Sequence, residues 1–275
     1  MEQDIKKLIE DALVEDIGHG DVTSEAVILE GASSTAEIIA KQDLVLAGVL
    51  VAREVFRILD PQAQFTAFFR DGERIAPGSV IAQVQGGTRT LLAGERVALN
   101  LLQHLSGIAT TTARFVDALK GTRAEILDTR KTLPGLRTLE KYAVRTGGGR
   151  NHRFGLYDGV LIKDNHIKAA GGIAKAMAGV TKKVHPLLKI EVEVKTLDEV
   201  REALAAGATM IMFDNMPPAL MKQAVDIVGG RVPVEASGNV TLDNVRAIAE
   251  TGVDFISSGS LTHSSPAADI SMKLK

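Results

Sequence analysis

The pattern of apolar and polar positions changes along the chain. The first hundred residues begin with an amphipathic segment, followed by apolar or alternating runs at STAEIIAK, AQFTAFF and VIAQVQ. This pattern predicts a helix and then several strands. From Leu91 the apolar spacing becomes helical, and we predict two helices separated at Ser106–Gly107. The apolar face of the opening helix holds Ile5, Leu8, Ile9, Ala12 and Leu13.

Beyond residue 120 the pattern becomes a series of short β runs, each followed by a helical segment. The runs are AEILDT, GVLIK, KIEVEV, TMIMFDN, VPVEAS and VDFISSG. This alternation is typical of parallel strands covered by helices, and a barrel is its natural closure. Six runs are fewer than the eight strands of a complete (β/α)₈ barrel, so either the barrel is incomplete or weak strands escape the pattern. We place the domains at 1–108 and 109–275, and leave open a return of the last residues to the first domain.

Polar residues follow these β runs at the point where each run ends. The carboxyl ends of parallel barrel strands meet at one rim, where barrel active sites lie, so we expect these residues to surround one site. Two Arg and two Lys side chains there would suit a ligand with several carboxylate or phosphate groups. The residues are Arg130, Lys131, Arg153, Lys163, Glu193, Asp214, Ser237, Gly238, Asn239, Gly259 and Ser260.

The last two strand–helix turns carry the sequences ASGN and SSGS. In barrels these turns commonly bind a phosphate through backbone N–H groups, and we predict that role here. Glu193 and Asp214 leave two interpretations open, because they could pair with the rim cations or bind Mg²⁺ together with substrate oxygens and water. Lys163 could also be the Schiff-base lysine of an aldolase-like enzyme.

The basic residues could instead belong to an anion-binding or nucleic-acid-binding module. Residues 127–167 hold eight Lys or Arg and two His against four acids, although the formal net charge of the chain is −2. Aromatic residues make up only 4% of the chain and Trp is absent, which leaves few side chains on which bases could stack. We therefore expect no nucleic-acid partner.

Composition narrows the class of protein further. The 275 residues are 45% hydrophobic and include no Cys, which removes disulfides and thiolate metal sites. The N-terminal segment has no apolar run of signal-peptide or membrane-span length, so we expect a cytoplasmic protein with no membrane partner. No zinc site is predicted, because His19, His104, His185 and His263 show no ligand spacing and are assigned surface or packing roles.

These motifs taken together resemble those of the quinolinate phosphoribosyltransferase family, also called nicotinate-nucleotide pyrophosphorylase (carboxylating). The longest matching segment is DTRKTLPGLRTLEKYAVRTGGGRNHRFGLYDGVLIKDNHI. The resemblance spans nearly the whole chain and is weakest between about residues 26 and 90. A paralogous branch linked to molybdenum uptake shares much of the pattern and remains an alternative. The other matching segments are EDIGHGDVTSE, GERVALN, QHLSGIAT, EVEV, IMFDN, EASGNVTLDN, TGVDFISSG and LTHS.

The resemblance implies an N-terminal α/β sandwich domain followed by an incomplete TIM-like α/β barrel. It also implies a homodimer with shared active sites, with a hexamer of dimers as a further possibility. The implied reaction joins quinolinate to phosphoribosyl pyrophosphate with Mg²⁺ as cofactor. Its products are nicotinate mononucleotide, pyrophosphate and carbon dioxide, as required in NAD biosynthesis.

The resemblance also implies roles for individual residues. Lys131 would face the diphosphate, and Thr129 would belong to the same substrate-binding segment. Glu193 and Asp214 would hold the ribose hydroxyls and the metal. The residues implied for the quinolinate pocket are Arg96, Arg130, His152, Arg153 and Lys163. The residues implied for the 5′-phosphate are Ser237, Gly238, Asn239, Ser258, Gly259 and Ser260.

Overall fold

The computed structural model describes the backbone of residues 2–275 and the side chains of residues 4–275. The helices are α1 (Glu2–Ile17), α2 (Val22–Val27), α3 (Val49–Leu59), α4 (Thr88–Ala118), α5 (Arg137–Thr146), α6 (Asp164–Ala170), α7 (Ile173–Thr181), α8 (Leu197–Ala205), α9 (Pro218–Val228), α10 (Val245–Ala249) and α11 (Ser260–His263). The strands are β1 (Ser33–Ala40), β2 (Leu44–Val45), β3 (Gln64–Ala67), β4 (Arg74–Ile75), β5 (Val80–Gly87), β6 (Glu125–Leu127), β7 (Val160–Ile162), β8 (Ile190–Val194), β9 (Met210–Asp214), β10 (Val234–Ser237), β11 (Phe255–Ser257) and β12 (Ile270–Leu274). No described helix is both long enough and apolar enough to cross a membrane.

The chain folds into two compact units that do not follow its sequence order. The first unit takes the residues up to Ala113 together with 133–148 and 265–275, and the second takes 114–132 and 149–264. In this division α5 groups with the first unit, although it follows residue 108, where we placed the domain boundary. The side chains of α5 explain the grouping: the Tyr142 hydroxyl donates to Asp71, and Glu140 lies 2.8 Å from His104 Nε2.

The first unit is built on a four-stranded antiparallel sheet with the order β12-β1-β5-β3. The predicted opening helix is confirmed as α1. The strands predicted at the three apolar runs that follow it are confirmed as β1, β3 and β5. In α1 the side chains of Ile9 and Leu13 are buried, as the apolar spacing indicates. The last strand, β12, pairs with β1 from Ala36↔Leu274 to Ala40↔Ile270. The strand β12 therefore forms one edge of a sheet whose other three strands, β1, β5 and β3, come from the first part of the chain.

The long helix α4 continues through Ser106–Gly107, so our prediction of two helices there was wrong. The two residues serve packing within the first unit. A Cβ at Gly107 would lie 2.1 Å from the carbonyl oxygen of Pro266, so only Gly allows this close approach. The hydroxyl of Ser106 is buried and accepts a hydrogen bond from Ala47 N–H. Here the small residues mark a contact between segments rather than a break in the helix.

The second unit contains the six strands predicted from the repeated β runs. They form one parallel sheet with the order β6-β11-β10-β9-β8-β7. Between its end strands, β6 and β7, the described residues show no pairing. The predicted incomplete barrel is thus confirmed as an open set of six parallel strands, and their carboxyl ends point the same way.

Candidate functional site

A cavity of about 680 Å³ lies at the carboxyl ends of the parallel strands, entirely within the second unit. Every predicted site residue except Arg96 lines it. Arg96 belongs to α4 in the first unit, where its side chain is half exposed and lies 3.8 Å from Glu95 Oε1. The predicted residues in the lining are Thr129, Arg130, Lys131, His152, Arg153, Lys163, Glu193, Asp214, Ser237, Gly238, Asn239, Ser258, Gly259 and Ser260.

Two guanidinium groups lie near each other on one side of the cavity. Burial lowers the pKa of Arg153, and the charge of Arg130 lowers that pKa further. Arg153 is held in place by a 3.0 Å hydrogen bond from its Nη1 to the Gly159 carbonyl oxygen. Glu191 and Asp158 oppose these effects on the pKa of Arg153, and a negatively charged ligand would further reduce the repulsion between the two guanidinium groups. This side of the cavity is therefore suited to a carboxylate or phosphate group.

Lys131 lies close to the second of the two glycine-containing turns. A Cβ at Gly259 would meet the Lys131 Cδ atom at 2.7 Å, so glycine makes room for the lysine side chain. The Thr262 hydroxyl donates to the Lys131 carbonyl oxygen at 2.8 Å, which ties the segment after β6 to α11. Lys131 is thereby placed beside the turn predicted to bind a phosphate.

Each carboxylate of the cavity has a lysine partner. Glu193 is buried, and its Oε2 lies 3.5 Å from Nζ of Lys163. Asp214 Oδ2 lies 3.5 Å from Nζ of Lys195, a residue that we did not predict. In proteins Mg²⁺ usually binds one or two carboxylates and completes its octahedral shell with substrate phosphates and water. Glu193 and Asp214 fit that limited donor set, and they do not amount to a complete metal site made by protein alone.

The two glycine-containing turns have the geometry of an anion site. Gly238 and Asn239 adopt positive φ values of 99° and 49°. No hydrogen bond from the backbone N–H of Gly238, Asn239 or Gly259 is found within the described chain. Backbone N–H groups without a partner at such a turn can bind a phosphate.

His152, Glu191 and Glu235 form a cluster with the spacing of metal ligands. The Nε2 atom of His152 lies 3.1 Å from Glu191 Oε2 and 3.6 Å from Glu235 Oε2. However, Nδ1 accepts a 2.7 Å hydrogen bond from the Arg153 backbone N–H, so the proton of a neutral ring must be on Nε2. That proton points to Glu191 and occupies the atom a metal would need. The arrangement favours a hydrogen-bonded cluster over a metal centre.

Glu235 is the most deeply buried acid of this cluster. It is fully buried, and neither carboxyl oxygen has a hydrogen-bond partner in the described chain. Burial raises the pKa of Glu235 to about 8, and the negative charge of Glu191 adds to the effect. At neutral pH Glu235 is therefore mostly protonated.

Four polar residues of the cavity were missed by sequence reasoning, and His263 and Asn215 are the two with ring or amide side chains. His263, which we assigned a surface or packing role, is exposed and lines the cavity. Its ring lies 3.1 Å from the position of a Cβ at Gly259. Asn215 directly follows Asp214, and its position at a strand end was the signal that could have identified it. The other lining residues that we did not predict are Leu161, Met212, Val240, Thr241 and Ser257.

Known proteins match this chain along almost its full length. The quinolinate phosphoribosyl transferase N-terminal domain matches residues 21–106, and the C-terminal domain of the same family matches residues 108–273. The chain is 48% identical over 268 residues to a probable nicotinate-nucleotide pyrophosphorylase (carboxylating) of Bacillus subtilis, covering 98% of this chain and 92% of that protein.

A plant relative and a solved structure agree with these matches. The chloroplastic nicotinate-nucleotide pyrophosphorylase (carboxylating) of Arabidopsis thaliana is 46% identical over 290 residues, covering 98% of this chain and 83% of the relative. The crystal structure of NadC from Streptococcus pyogenes superposes with a TM-score of 0.96 at 42% identity, covering 100% of this chain and 98% of that chain. The chain belongs to the quinolinate phosphoribosyl transferase family.

Proposed function

We propose that this protein transfers the phosphoribosyl group of phosphoribosyl pyrophosphate to quinolinate. The products are nicotinate mononucleotide, pyrophosphate and carbon dioxide, a step of NAD biosynthesis. One observation carries the proposal: the cations Arg130, Lys131, Arg153 and Lys163 line a single cavity with two carboxylates and two glycine-containing turns. Quinolinate brings two carboxylates, and the sugar substrate brings a phosphate and a diphosphate. The cavity supplies a matching set of positive charges and backbone donors.

The binding roles divide along the cavity. Arg130, Arg153 and Lys163 hold the carboxylates of quinolinate, and His152 lies in the same pocket, with Nε2 beside Glu191 and Nδ1 accepting from the Arg153 backbone N–H. Lys131 faces the diphosphate with Thr129 beside it. The 5′-phosphate is bound by the turn of Ser237, Gly238 and Asn239 and by that of Ser258, Gly259 and Ser260.

Glu193 and Asp214 act on the ribose. They hold its hydroxyl groups. Together with these hydroxyls, the two carboxylates would hold Mg²⁺, and the bound metal would neutralise charge on the leaving diphosphate. As pyrophosphate departs, positive charge develops at the anomeric carbon, and the two carboxylates stabilise it while the pyridine nitrogen attacks. Both carboxylates are already oriented by lysines, at 3.5 Å in each case. Little reorganisation is then needed during the reaction.

The second chemical step is loss of the 2-carboxylate. Once its nitrogen is quaternised, the pyridinium ring accepts the electron pair left when carbon dioxide leaves. That pair lies on the ring carbon beside the cationic nitrogen, and a proton then replaces the lost group. Arg130, Arg153 and Lys163 must therefore favour the zwitterionic ring rather than only bind the acid tightly.

The aldolase alternative is less well supported by the surroundings of Lys163. Its ammonium group pairs with Glu193, and its side chain is about half exposed. Schiff-base lysines are typically activated in an apolar pocket or beside another cation. A borohydride-trapping experiment with a carbonyl substrate, read by mass spectrometry, would detect an adduct on Lys163 if that alternative were correct.

We further propose a homodimer in which Arg96 of one subunit completes the pocket of the other, with a hexamer of dimers as a larger assembly. Arg96 is the predicted pocket residue that the cavity of a single chain does not include. A closed two-fold dimer would supply it to both sites by symmetry. We also propose Mg²⁺ as cofactor and the cytoplasm as location.

The deciding experiment incubates the purified protein with quinolinate, phosphoribosyl pyrophosphate and Mg²⁺. We expect nicotinate mononucleotide and carbon dioxide, measured by liquid chromatography and by release of label from the 2-carboxylate. Turnover of nicotinic acid but not of quinolinate would contradict the proposed pocket. No product from either substrate would favour the molybdenum-linked alternative.

A further inference from the structure

A chain of side-chain amides connects Asp214 to the turn after β10. Asn215 Nδ2 donates to Asp214 Oδ1 at 2.8 Å, and Asn239 Nδ2 donates to Asn215 Oδ1 at 3.0 Å. The backbone joins the same segments, since Asn215 N–H donates to the Ser237 carbonyl oxygen at 2.9 Å. All four residues line the cavity. Asn215 is thus a partner of both the Asp214 carboxylate and the turn after β10. In the proposed function the carboxylate binds the ribose and the turn binds the 5′-phosphate.

The orientation of the Asn215 amide follows from its neighbours. Ionised Asp214 can only accept hydrogen bonds, so the NH₂ group of Asn215 must face it. The oxygen of Asn215 then faces Asn239, whose NH₂ group donates to it. The side-chain amide of Asn donates through its nitrogen and accepts through its oxygen at the same time, and Asn tolerates positive φ better than most residues. Asn215 adopts φ 53°.

The turn itself is shaped around this amide. Gly238 has φ 99°, and a Cβ at this position would lie 2.2 Å from Asn215 Oδ1. On the far side, Asn244 Nδ2 donates to the Asn239 carbonyl oxygen at 2.9 Å, and Asn244 Oδ1 accepts from Thr241 N–H at 2.8 Å. The turn is therefore held from both sides, with Asn215 on the side of the carboxylate.

Asp214 has a second partner in Lys195. Nζ of Lys195 lies 3.5 Å from Asp214 Oδ2 and 3.3 Å from Asp164 Oδ2. The hydrogen bond from Asn215 restrains the other oxygen, Oδ1, on the side of the turn. The two oxygens of Asp214 are thus held separately, and loss of the Asn215 amide would leave Oδ1 unrestrained while Oδ2 keeps Lys195.

We propose that Asn215 is a positioning residue that sets the distance between the ribose-binding carboxylate and the phosphate-binding turn. This inference rests on the proposed function, in which one sugar bears both the 5′-phosphate and the hydroxyls that these groups bind. The separation of those groups in the substrate is nearly constant, so a correctly spaced site binds both without reorganising. Asn215 acts through Asp214 and the turn, and it selects for the phosphorylated sugar rather than for quinolinate.

The test uses Asn215→Gly, which removes the amide and keeps a residue suited to positive φ. We expect the KM for phosphoribosyl pyrophosphate to rise about tenfold or more, while the KM for quinolinate changes by less than about twofold. Asn215→Asp keeps the acceptor but places a carboxylate against Asp214, so we expect it to be at least as impaired. The thermal unfolding midpoint should stay near that of the wild type for Asn215→Gly, which separates positioning from folding.

A second variant tests the connection itself. Asn239→Gly removes the other end of the amide chain and preserves the backbone N–H groups of the turn. If both residues act through one link, the double variant Asn215→Gly/Asn239→Gly should be no worse than Asn215→Gly alone. Effects that multiply in the double variant would overturn the inference.

The outcomes distinguish this inference from the proposed function. Suppose that the wild type is active and that Asn215→Gly has an unchanged KM for phosphoribosyl pyrophosphate. This result refutes the positioning role and leaves the proposed function intact. Equal increases in both KM values also refute it, since they indicate general damage to the site. A wild-type protein without turnover refutes the proposed function and the inference with it.

Discussion

Nζ of Lys163 lies 3.5 Å from Oε2 of Glu193, at the carboxyl ends of the neighbouring strands β7 and β8. A cation proposed to bind quinolinate and a carboxylate proposed to bind the ribose thus hold each other in place. The pair is asymmetric, because Glu193 is buried and Lys163 is half exposed towards the cavity. The lysine can exchange part of its interaction for a substrate carboxylate without leaving Glu193 unpartnered.

The first prediction concerns the pocket cations. Lys163→Ala and Arg130→Ala should each lower kcat/KM by roughly 10² to 10³, the usual loss when one preorganised electrostatic partner is removed. Steady-state kinetics with quinolinate as the varied substrate measures the effect. Lys175→Ala, at an exposed lysine of α7, is the matched control and should behave like the wild type. Near-normal turnover of both pocket variants would contradict the assignment.

The second prediction tests whether Arg96 acts across a subunit boundary. Arg96→Ala and Lys163→Ala, each inactive, are unfolded together in equal amounts and reassembled, so that about half of the dimers contain one subunit of each kind. If Arg96 acts in trans, both lesions fall in one site of the mixed dimer, and the mixture regains about a quarter of wild-type activity. If it acts within its own chain, activity stays near zero. Native mass spectrometry checks that mixed dimers have formed. If they have formed and the mixture is still inactive, the shared site is contradicted.

The third prediction concerns Glu235. Its pKa is raised from 4.5 to about 8 in the folded protein, so between these values the folded state binds more protons than the unfolded state. The stabilising effect of its protonated form is complete below about pH 4.5 and is lost as the pH rises through about 8. The free energy of unfolding of the wild type, compared with that of Glu235→Gln, should fall as the pH rises from about 4.5 to about 8 and should then stay constant.

Urea unfolding at several pH values between about 5 and about 9 measures this difference. Glu30→Gln, at an exposed glutamate, is the control for removing one carboxylate. A difference between wild type and Glu235→Gln that stays constant with pH would show that Glu235 is not protonated in the folded protein.

The fourth prediction concerns Gly107 in α4. Gly107→Ala places a Cβ 2.1 Å from the Pro266 carbonyl oxygen, and we expect a loss of about 1–3 kcal/mol in the free energy of unfolding. Gly179→Ala, in α7, is the matched control because a Cβ there meets nothing within 4 Å. It should stabilise by about 0.5–1 kcal/mol, since Ala favours a helix more than Gly does. Similar effects of the two changes on thermal unfolding would contradict the packing account.

The strands of the second unit and their polar ends could be predicted because they are local features. Each β run is a short apolar segment, and parallel pairing brings its carboxyl end to the common rim, where Lys163 and Asp214 both lie. Gly107 was misjudged for the opposite reason. Its close neighbour, Pro266, lies far along the chain, and no local pattern distinguishes a glycine that breaks a helix from one that allows a close approach.

The missed residues follow the same rule. His263 was grouped with isolated histidines because it has no ligand spacing, yet α11 brings it beside Gly259. The role of Asn215 depends on an amide that meets Asp214 and Asn239 at once, a three-dimensional relationship that spacing does not show. The grouping of α5 with the first unit likewise depends on contacts such as that of Tyr142 with Asp71.

The pairing of β12 with β1 has a consequence for the protein during its synthesis. Residues 36–40 emerge from the ribosome long before residues 270–274, their partners in the finished sheet. Until then, one side of β1 is an unprotected edge that could pair with another nascent chain. Co-translational folding of the first unit must therefore wait until residues 270–274 have been synthesised, and a ribosome that stalls earlier would leave an aggregation-prone intermediate for chaperones to shield.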